Sequence, residues 1–203
     1  MEEIKNNFSG TYSWIKKFEK QTNGKGKPLP VVLKRNNINW YTMLDSSMGE
    51  LVTSINPEDR IFIAKIENLS FVNQRLIRFN RVNDEVDLEL CHALMNSLIG
   101  MFFIESLGFG RGEGALDLNT TKLRESLYIL NPSLLNENSK QEILNKFKIL
   151  KQREIKNLKD EILSDDRQEF DDVVLSAYKI LEYKEQIKNT LLCLYKIRKS
   201  VKA

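Results

Sequence analysis

The most constraining feature of this chain is an apolar segment with helical spacing that is too short to cross a bilayer. Between residues 84 and 108, Leu90, Leu94, Leu98, Met101 and Phe102 recur every three or four positions, which aligns them on one face of an α-helix. Asp84, Glu85 and Asp87 lead into the pattern. Acids there suit the positive end of a helix dipole, with Asn83 or Asp84 as the expected cap. Gly108 is the expected stop. The longest apolar stretch, residues 93–104, contains Asn96 and Ser97 and falls short of the ~20 residues that a spanning helix needs. One buried central helix is predicted, around which the remaining elements must pack.

Upstream, Trp14 and Phe18 stand four apart with lysines between them, which predicts a short amphipathic helix over 11–20. The run Asn23-Gly-Lys-Gly-Lys-Pro-Leu-Pro30 ends it. Segments 31–33, 51–55, 60–66 and 75–79 are short, rich in Ile, Val and Phe, and separated by Asn, Gly and Pro, so each is read as a strand. Downstream, five of the nine glycines fall between residues 100 and 114. Residues 115–118 then alternate like a strand, and Asn119 can cap a short helix. Beyond Asn131-Pro132 helix formers dominate. Ser139-Lys-Gln-Glu142 matches a capping box, and Ile143, Phe147, Leu150, Leu158 and Ile162 give one apolar side to a helix over 139–163. Two more helices are expected, over 166–181 and 184–199. The fold expected is α+β, a small mixed or antiparallel sheet with a central helix, followed by a helical C-terminal appendage. The domain boundary is placed at 132, with 1–132 as one domain and 133–203 as the appendage.

With 41% hydrophobic residues in 203, the chain can bury a substantial core. A net charge of +3 is weak evidence for a nucleic-acid partner, because the abundance of Lys, Asn and Ile matches an AT-rich coding bias. The distribution says more. Lys16, Lys17, Lys20, Lys25, Lys27, Lys34, Arg35, Arg75, Arg78 and Arg81 face few acids in the first eighty or so residues, and much of the acid lies from Asp84 onward. Cys91 and Cys193 are far apart and form no CxxC, so neither a disulfide framework nor a zinc site is expected. Both are read as reduced, buried cysteines of a cytoplasmic protein. The first residues hold no apolar signal core, and no membrane or export route is predicted.

No reaction can be assembled from the residue types present. The glycine loop departs from the dinucleotide fingerprint, because Glu113 stands where the third glycine should and a helix precedes it. There is no GK[ST] phosphate loop. His92, the single histidine, lies among apolar residues of the expected helix and is read as a core residue. Asp165-Asp166 and Asp171-Asp172 are neighbours that point apart on a helix and suit a cap or a solvated face. No catalytic, cofactor-binding or metal-ligating residue is assigned.

The order of local motifs carries a resemblance. Asn39-Trp40-Tyr41, Arg60-Ile-Phe-Ile63, Phe71-Val-Asn-Gln-Arg75, Leu94-Met-Asn-Ser97, the glycine loop and Leu116-Asp-Leu118 follow one another. Leu123, Leu127, Ile129 and Asn131-Pro132 come next, then Leu158-Lys-Asp-Glu161 and Asp165-Asp-Arg-Gln-Glu-Phe-Asp171. This succession resembles the C-terminal target-recognition domain of adenine-specific DNA methyltransferases, the TaqI-like specificity domain, including fused restriction-modification enzymes of type IIG. The resemblance spans nearly the whole chain. It implies sequence-specific recognition of double-stranded DNA in a bacterial restriction-modification system. The NPP[YF]-type motif that holds a flipped adenine in the parent enzymes is missing, since Glu58 follows Asn56-Pro57 and Ser133 follows Asn131-Pro132. A methyltransferase catalytic domain, with its S-adenosylmethionine, is therefore expected in cis or in trans.

Base readout needs Arg, Asn, Gln or acidic side chains that reach base edges, while Lys and Arg hold phosphates. Asn73, Gln74, Arg75, Arg111 and Glu113 supply the first chemistry. Lys34, Arg35, Arg75 and Arg78 supply the second. On one strand Arg75 and Arg78 would point to opposite faces, so only one of them would contact phosphate. Asn73 is expected to bond backbone, and Trp40 to lie in the core. Arg111 and Glu113 stand open between base readout and a glycine loop that merely turns. Two other readings remain at this stage: a specificity subunit of a multi-subunit restriction system, and a helical interaction module that binds no DNA.

Overall fold

The first part of the chain forms three short helices, the first two broken at Phe8 and the third set off by the Gly- and Pro-rich run before it. In the computed structural model, which describes residues 1–34, 38–111 and 114–200 (Asp45 and Arg111 by backbone alone), these are α1 (Glu2–Asn7), α2 (Ser9–Glu19) and α3 (Leu29–Val32). The strand expected at 31–33 is not formed. Pro30 sits in the first turn of α3, where its missing N–H has no role, and its fixed φ starts a helix. An isolated bridge between Thr22 and Pro28 closes the lysine-rich turn before it. Contacts divide the chain into Met1–Ser47 and Met48–Ala203.

The second unit is built on a three-stranded antiparallel sheet, with β1 (Met48–Ser54) between β2 (Ala64–Phe71) and β3 (Leu76–Phe79). As the middle strand, β1 buries Leu51, Val52 and Thr53 in succession, while the edge strand β2 is largely exposed. The strand expected over 60–66 begins only at Ala64. Before it, Ile61 and Ile63 drop into the core from an irregular segment.

The central apolar segment forms two helices rather than one, α4 (Leu88–Met95) and α5 (Leu98–Leu107), bent by 66°. Asn96 and Ser97 cause the break. The Asn96 amide accepts from Ile63 N and donates to Ile63 O, both at 2.9 Å, pairing with the segment before β2 as a neighbouring strand would. Ser97 caps α5, its oxygen accepting from Gly100 N. The α4 cap is Asp87, one turn beyond the residues expected, accepting from Leu90 N. Among the described residues no single helix is long and apolar enough to cross a membrane.

A two-stranded hairpin follows, β4 (Phe109–Arg111) and β5 (Ala115–Asp117), then α6 (Thr120–Ser126), capped by Asn119 as the sequence predicts. The helical remainder comprises α7 (Glu137–Leu150), α8 (Leu158–Glu161), α9 (Asp165–Ala177) and α10 (Lys184–Ser200). The α7 cap is Asn136, one turn before the expected box, with Ser139 N donating to it. The helix expected to run to 163 stops at Leu150, because Arg153 turns away to pair with Glu161 and Asp166 and Asn157 caps the new helix α8. Leu98, Met101 and Ile104 of α5 share one core with Leu116 of β5, Leu158 of α8, Leu175 of α9 and Leu191 of α10. The C-terminal helices thus pack into the same core as the sheet and the central helices. The architecture is α+β.

Candidate DNA interface

Three irregular segments of the second unit are joined by backbone hydrogen bonds into one frame. The loop after β1 lies between the other two. Ile55 N donates to Arg75 O in the turn between β2 and β3, and Leu118 N, just past β5, donates to Ile55 O. Asn56 reinforces the second link, its amide donating to Leu116 O at 3.2 Å and to the Asp117 carboxylate at 3.3 Å. Asp59 ties the same loop to α10. It accepts from the Tyr195 hydroxyl at 3.0 Å and pairs with Lys199 at 2.5 Å. Partial burial opposes its ionisation, but the hydrogen bonds from Lys199 and Tyr195 outweigh that and hold its carboxyl below the usual range.

The residues singled out from the sequence distribute over this frame unevenly. Asn73, Gln74 and Arg75 occupy the β2–β3 turn, so Arg75 is not on a strand as expected, and the argument about opposite strand faces does not apply to it. The Asn73 side chain accepts from Arg75 N at 2.9 Å, and its carbonyl accepts from Leu76 N. It spends its side chain on the turn, the local bonding typical of Asn at such positions. Gln74 and Arg75 are exposed at the turn, and Arg78 is exposed on β3, opposite Val52. Neither arginine makes an ion pair among the described residues. The contrast is Arg81, which is held by Glu50 at 2.8 Å. Lys34 is exposed beyond α3 in the first unit. Arg35 and Glu113 lie outside the described residues, and Arg111 is placed by its backbone alone, at the end of β4 opposite Ala115.

The hairpin that carries Arg111 is secured by a residue that sequence reading did not single out. Arg198, buried on α10, forms a two-point pair with buried Glu105 of α5, Nε to Oε1 at 2.8 Å and Nη2 to Oε2 at 3.1 Å. Its remaining donors reach the carbonyl of Gly114, in the hairpin, and that of Glu58, at 2.9 Å. Gly114 has φ of 75°, and a Cβ there would sit 2.6 Å from Lys199 Cδ and 3.2 Å from its Cα. The glycine allows α10 to approach this closely and supplies the left-handed backbone. No local sequence signal links Glu105 to Arg198, which are 93 positions apart.

Several motif residues of the sequence reading prove to be structural. Arg167 donates to Asn96 O at the break between α4 and α5, and Asp171 accepts from Leu98 N at the start of α5 at 2.8 Å. One thus meets the negative end of α4 and the other the positive end of α5. His92 is buried, as expected, with Nε2 2.8 Å from Ile63 O and its ring edge-on to Phe147. Burial keeps its imidazole below the ordinary pKa, hence neutral. With Lys65, Lys151 and Arg153 it lines a cavity of about 580 Å³. Most of the charges around that cavity are matched, Lys65 and Lys151 by Glu89, and Arg153 by Glu161. Cys91 and Cys193 are free thiols, but Cys193 is exposed, because it falls on the outer face of α10. Trp40 also departs from expectation, being half-buried rather than in the core. Among the described residues no group of three or more His, Cys, Asp or Glu side chains is placed to hold a metal ion. No protein-family model matches this chain, and neither does any curated protein or solved structure.

Proposed function

We propose that this chain recognises a DNA sequence, as the specificity part of an adenine-specific DNA methyltransferase in a bacterial restriction-modification system. The reading is supported above all by the hydrogen-bonded frame. It joins the Gln74-Arg75 turn to the hairpin of Arg111 and leaves Arg75 and Arg78 exposed without ion pairs among the described residues. Base readout favours side chains held on a rigid support, because ordering a loose loop on binding costs conformational entropy. In this reading Gln74, Arg75, Arg111 and Glu113 face base edges, Arg78, Lys34 and Arg35 meet phosphates, and Asn73 shapes the turn. Methyl transfer belongs to a catalytic domain in cis or in trans that carries S-adenosylmethionine.

The test is selection from a pool of random-sequence duplexes at low salt, with repeated recovery and sequencing of the bound fraction. A short enriched motif containing adenine is expected. Arg75→Ala should then relax preference at one position by about 1–3 kcal/mol, whereas Lys34→Gln should weaken all sequences equally and lower the salt slope by about 1. Absence of enrichment, or of any binding at low salt, rejects the reading.

A further inference from the structure

The aromatic residues of the first unit form a half-open cleft rather than a core. Trp14 of α2 lies against Phe18, centroids 4.6 Å apart, and against Trp40 at 6.3 Å with planes inclined by only 23°. Tyr41 stands edge-on to Trp40 at 5.7 Å. Trp14, Trp40 and Tyr41, together with Leu33, Asn39 and Met43, line a cleft of about 340 Å³, at the lower end of the ~300–1,000 Å³ typical of small-molecule sites. Trp14 is 52% exposed, and Leu33 and Met43 are exposed as well. A large ring left half in water on a soluble unit marks a surface that something planar and apolar can cover.

The charge of this unit indicates what that is. Residues 1–47 carry eight lysines and arginines against four acids, whereas residues 48–203 carry 23 against 24, so the positive excess of the chain sits entirely in the first unit. Lys17, Lys20, Lys25, Lys27 and Lys34 are exposed there and form no ion pair among the described residues. Lys16 is the exception, paired with Glu19 at 2.7 Å. Aromatic faces open to solvent on a unit that also exposes lysines without ion pairs among the described residues are what a nucleic-acid strand requires, rings for its bases and cations for its phosphates. A paired base has both faces occupied by its neighbours in the stack, so only an unpaired one can use the cleft. Asn39, on the same rim, brings an amide whose donor and acceptor match a base edge.

We propose that the Trp14–Trp40–Tyr41 cleft is a stacking site for an unpaired nucleobase, with lysines of the same unit holding the flanking phosphates. The proposal rests on the DNA reading given above and adds to it a stack on an unpaired base, separate from readout of paired bases. The lysines of this unit serve the phosphates of single strand and duplex alike.

The chain contains two tryptophans, Trp14 and Trp40, and both line the cleft, so tryptophan fluorescence, excited at the red edge where the tyrosines do not absorb, reports on it alone. Titration with a short single strand of mixed sequence should quench that fluorescence to saturation. A duplex with one bulged base should quench it too, and a fully paired duplex should bind with little quenching. Trp14→Ala should weaken single-strand binding roughly 5- to 150-fold, the span expected for loss of one base stack. Trp14→Phe should restore most of it, and duplex affinity should not change in either variant. If the single strand binds without quenching, or Trp14→Ala binds it as tightly, the cleft proposal falls while the DNA reading stands. If neither single strand nor duplex binds, both fall. Fluorescence that responds to an added methyltransferase catalytic domain and not to DNA would make the cleft a protein-docking surface and overturn the proposal.

Discussion

Asp171 shows how one buried residue couples stability to pH. Desolvation pushes its carboxyl up to about 6, against the opposing pull of the Arg167 guanidinium and the Leu98 N–H. The native state therefore holds this proton between about pH 4 and 6, where the unfolded chain has released it. The contribution of Asp171 to stability falls as pH rises through that window and is constant above it. Asp171→Asn keeps an acceptor for Leu98 N and removes the titration. The stability advantage of the wild type over this variant should grow by up to about 3 kcal/mol as pH falls from 6 to 4. Urea titrations of both proteins at several pH values would measure it, and a pH-independent difference would contradict the assignment. Glu161 and Asp166, whose carboxyls Arg153 holds below the usual range against partial burial, titrate in both proteins and cancel.

Among elements, the junction of α4 and α5 is the least tolerant. A Cβ on Gly100 would lie 2.0 Å from the carbonyl oxygen of Met95, a backbone atom that cannot step aside. Gly100→Ala should cost about 3 kcal/mol or more, read as a lowered midpoint of thermal or urea unfolding, and a change within about 0.5 kcal/mol would show that the two helices can part freely. The same junction marks the limit of what the sequence disclosed. The Asn119 cap, the β5 alternation and the helical C-terminal third were legible because each signal lies within a few residues of its effect. The break at Asn96 was not, since its partner Ile63 is 33 positions away and the apolar period runs through it undisturbed. Segment 31–33 misled for a related reason, because Val31, Val32 and Leu33 suit a strand while Pro30 starts a helix. The arrangement of the candidate site was not legible. Nothing local reveals that Ile55 bridges the Arg75 turn to the hairpin, or that Arg198 secures that hairpin.

At the scale of the whole molecule, charge and loop structure are divided between the two units, with the positive excess in residues 1–47 and the hydrogen-bonded frame of loops in residues 48–203. Replacing Lys17, Lys20 and Lys25 together with Gln should therefore reduce the salt dependence of binding, by about 3 in the slope of log affinity against log salt if each meets one phosphate, while leaving the selected sequence motif unaltered. An unchanged slope would assign the phosphate contacts to the second unit. The Arg198 contact also sets an order of events during synthesis. The hairpin formed by β4 and β5 leaves the ribosome long before the side chain that secures it, Arg198 standing 81 positions beyond Asp117. At ~5–20 residues per second that interval lasts roughly 4–16 s. Through those seconds a nascent chain presents its arginine-bearing loop without the Gly114 and Glu58 contacts that fix it. The fixed geometry of that loop is thus acquired late in translation, when the Arg198 contacts form, rather than when the loop itself is made.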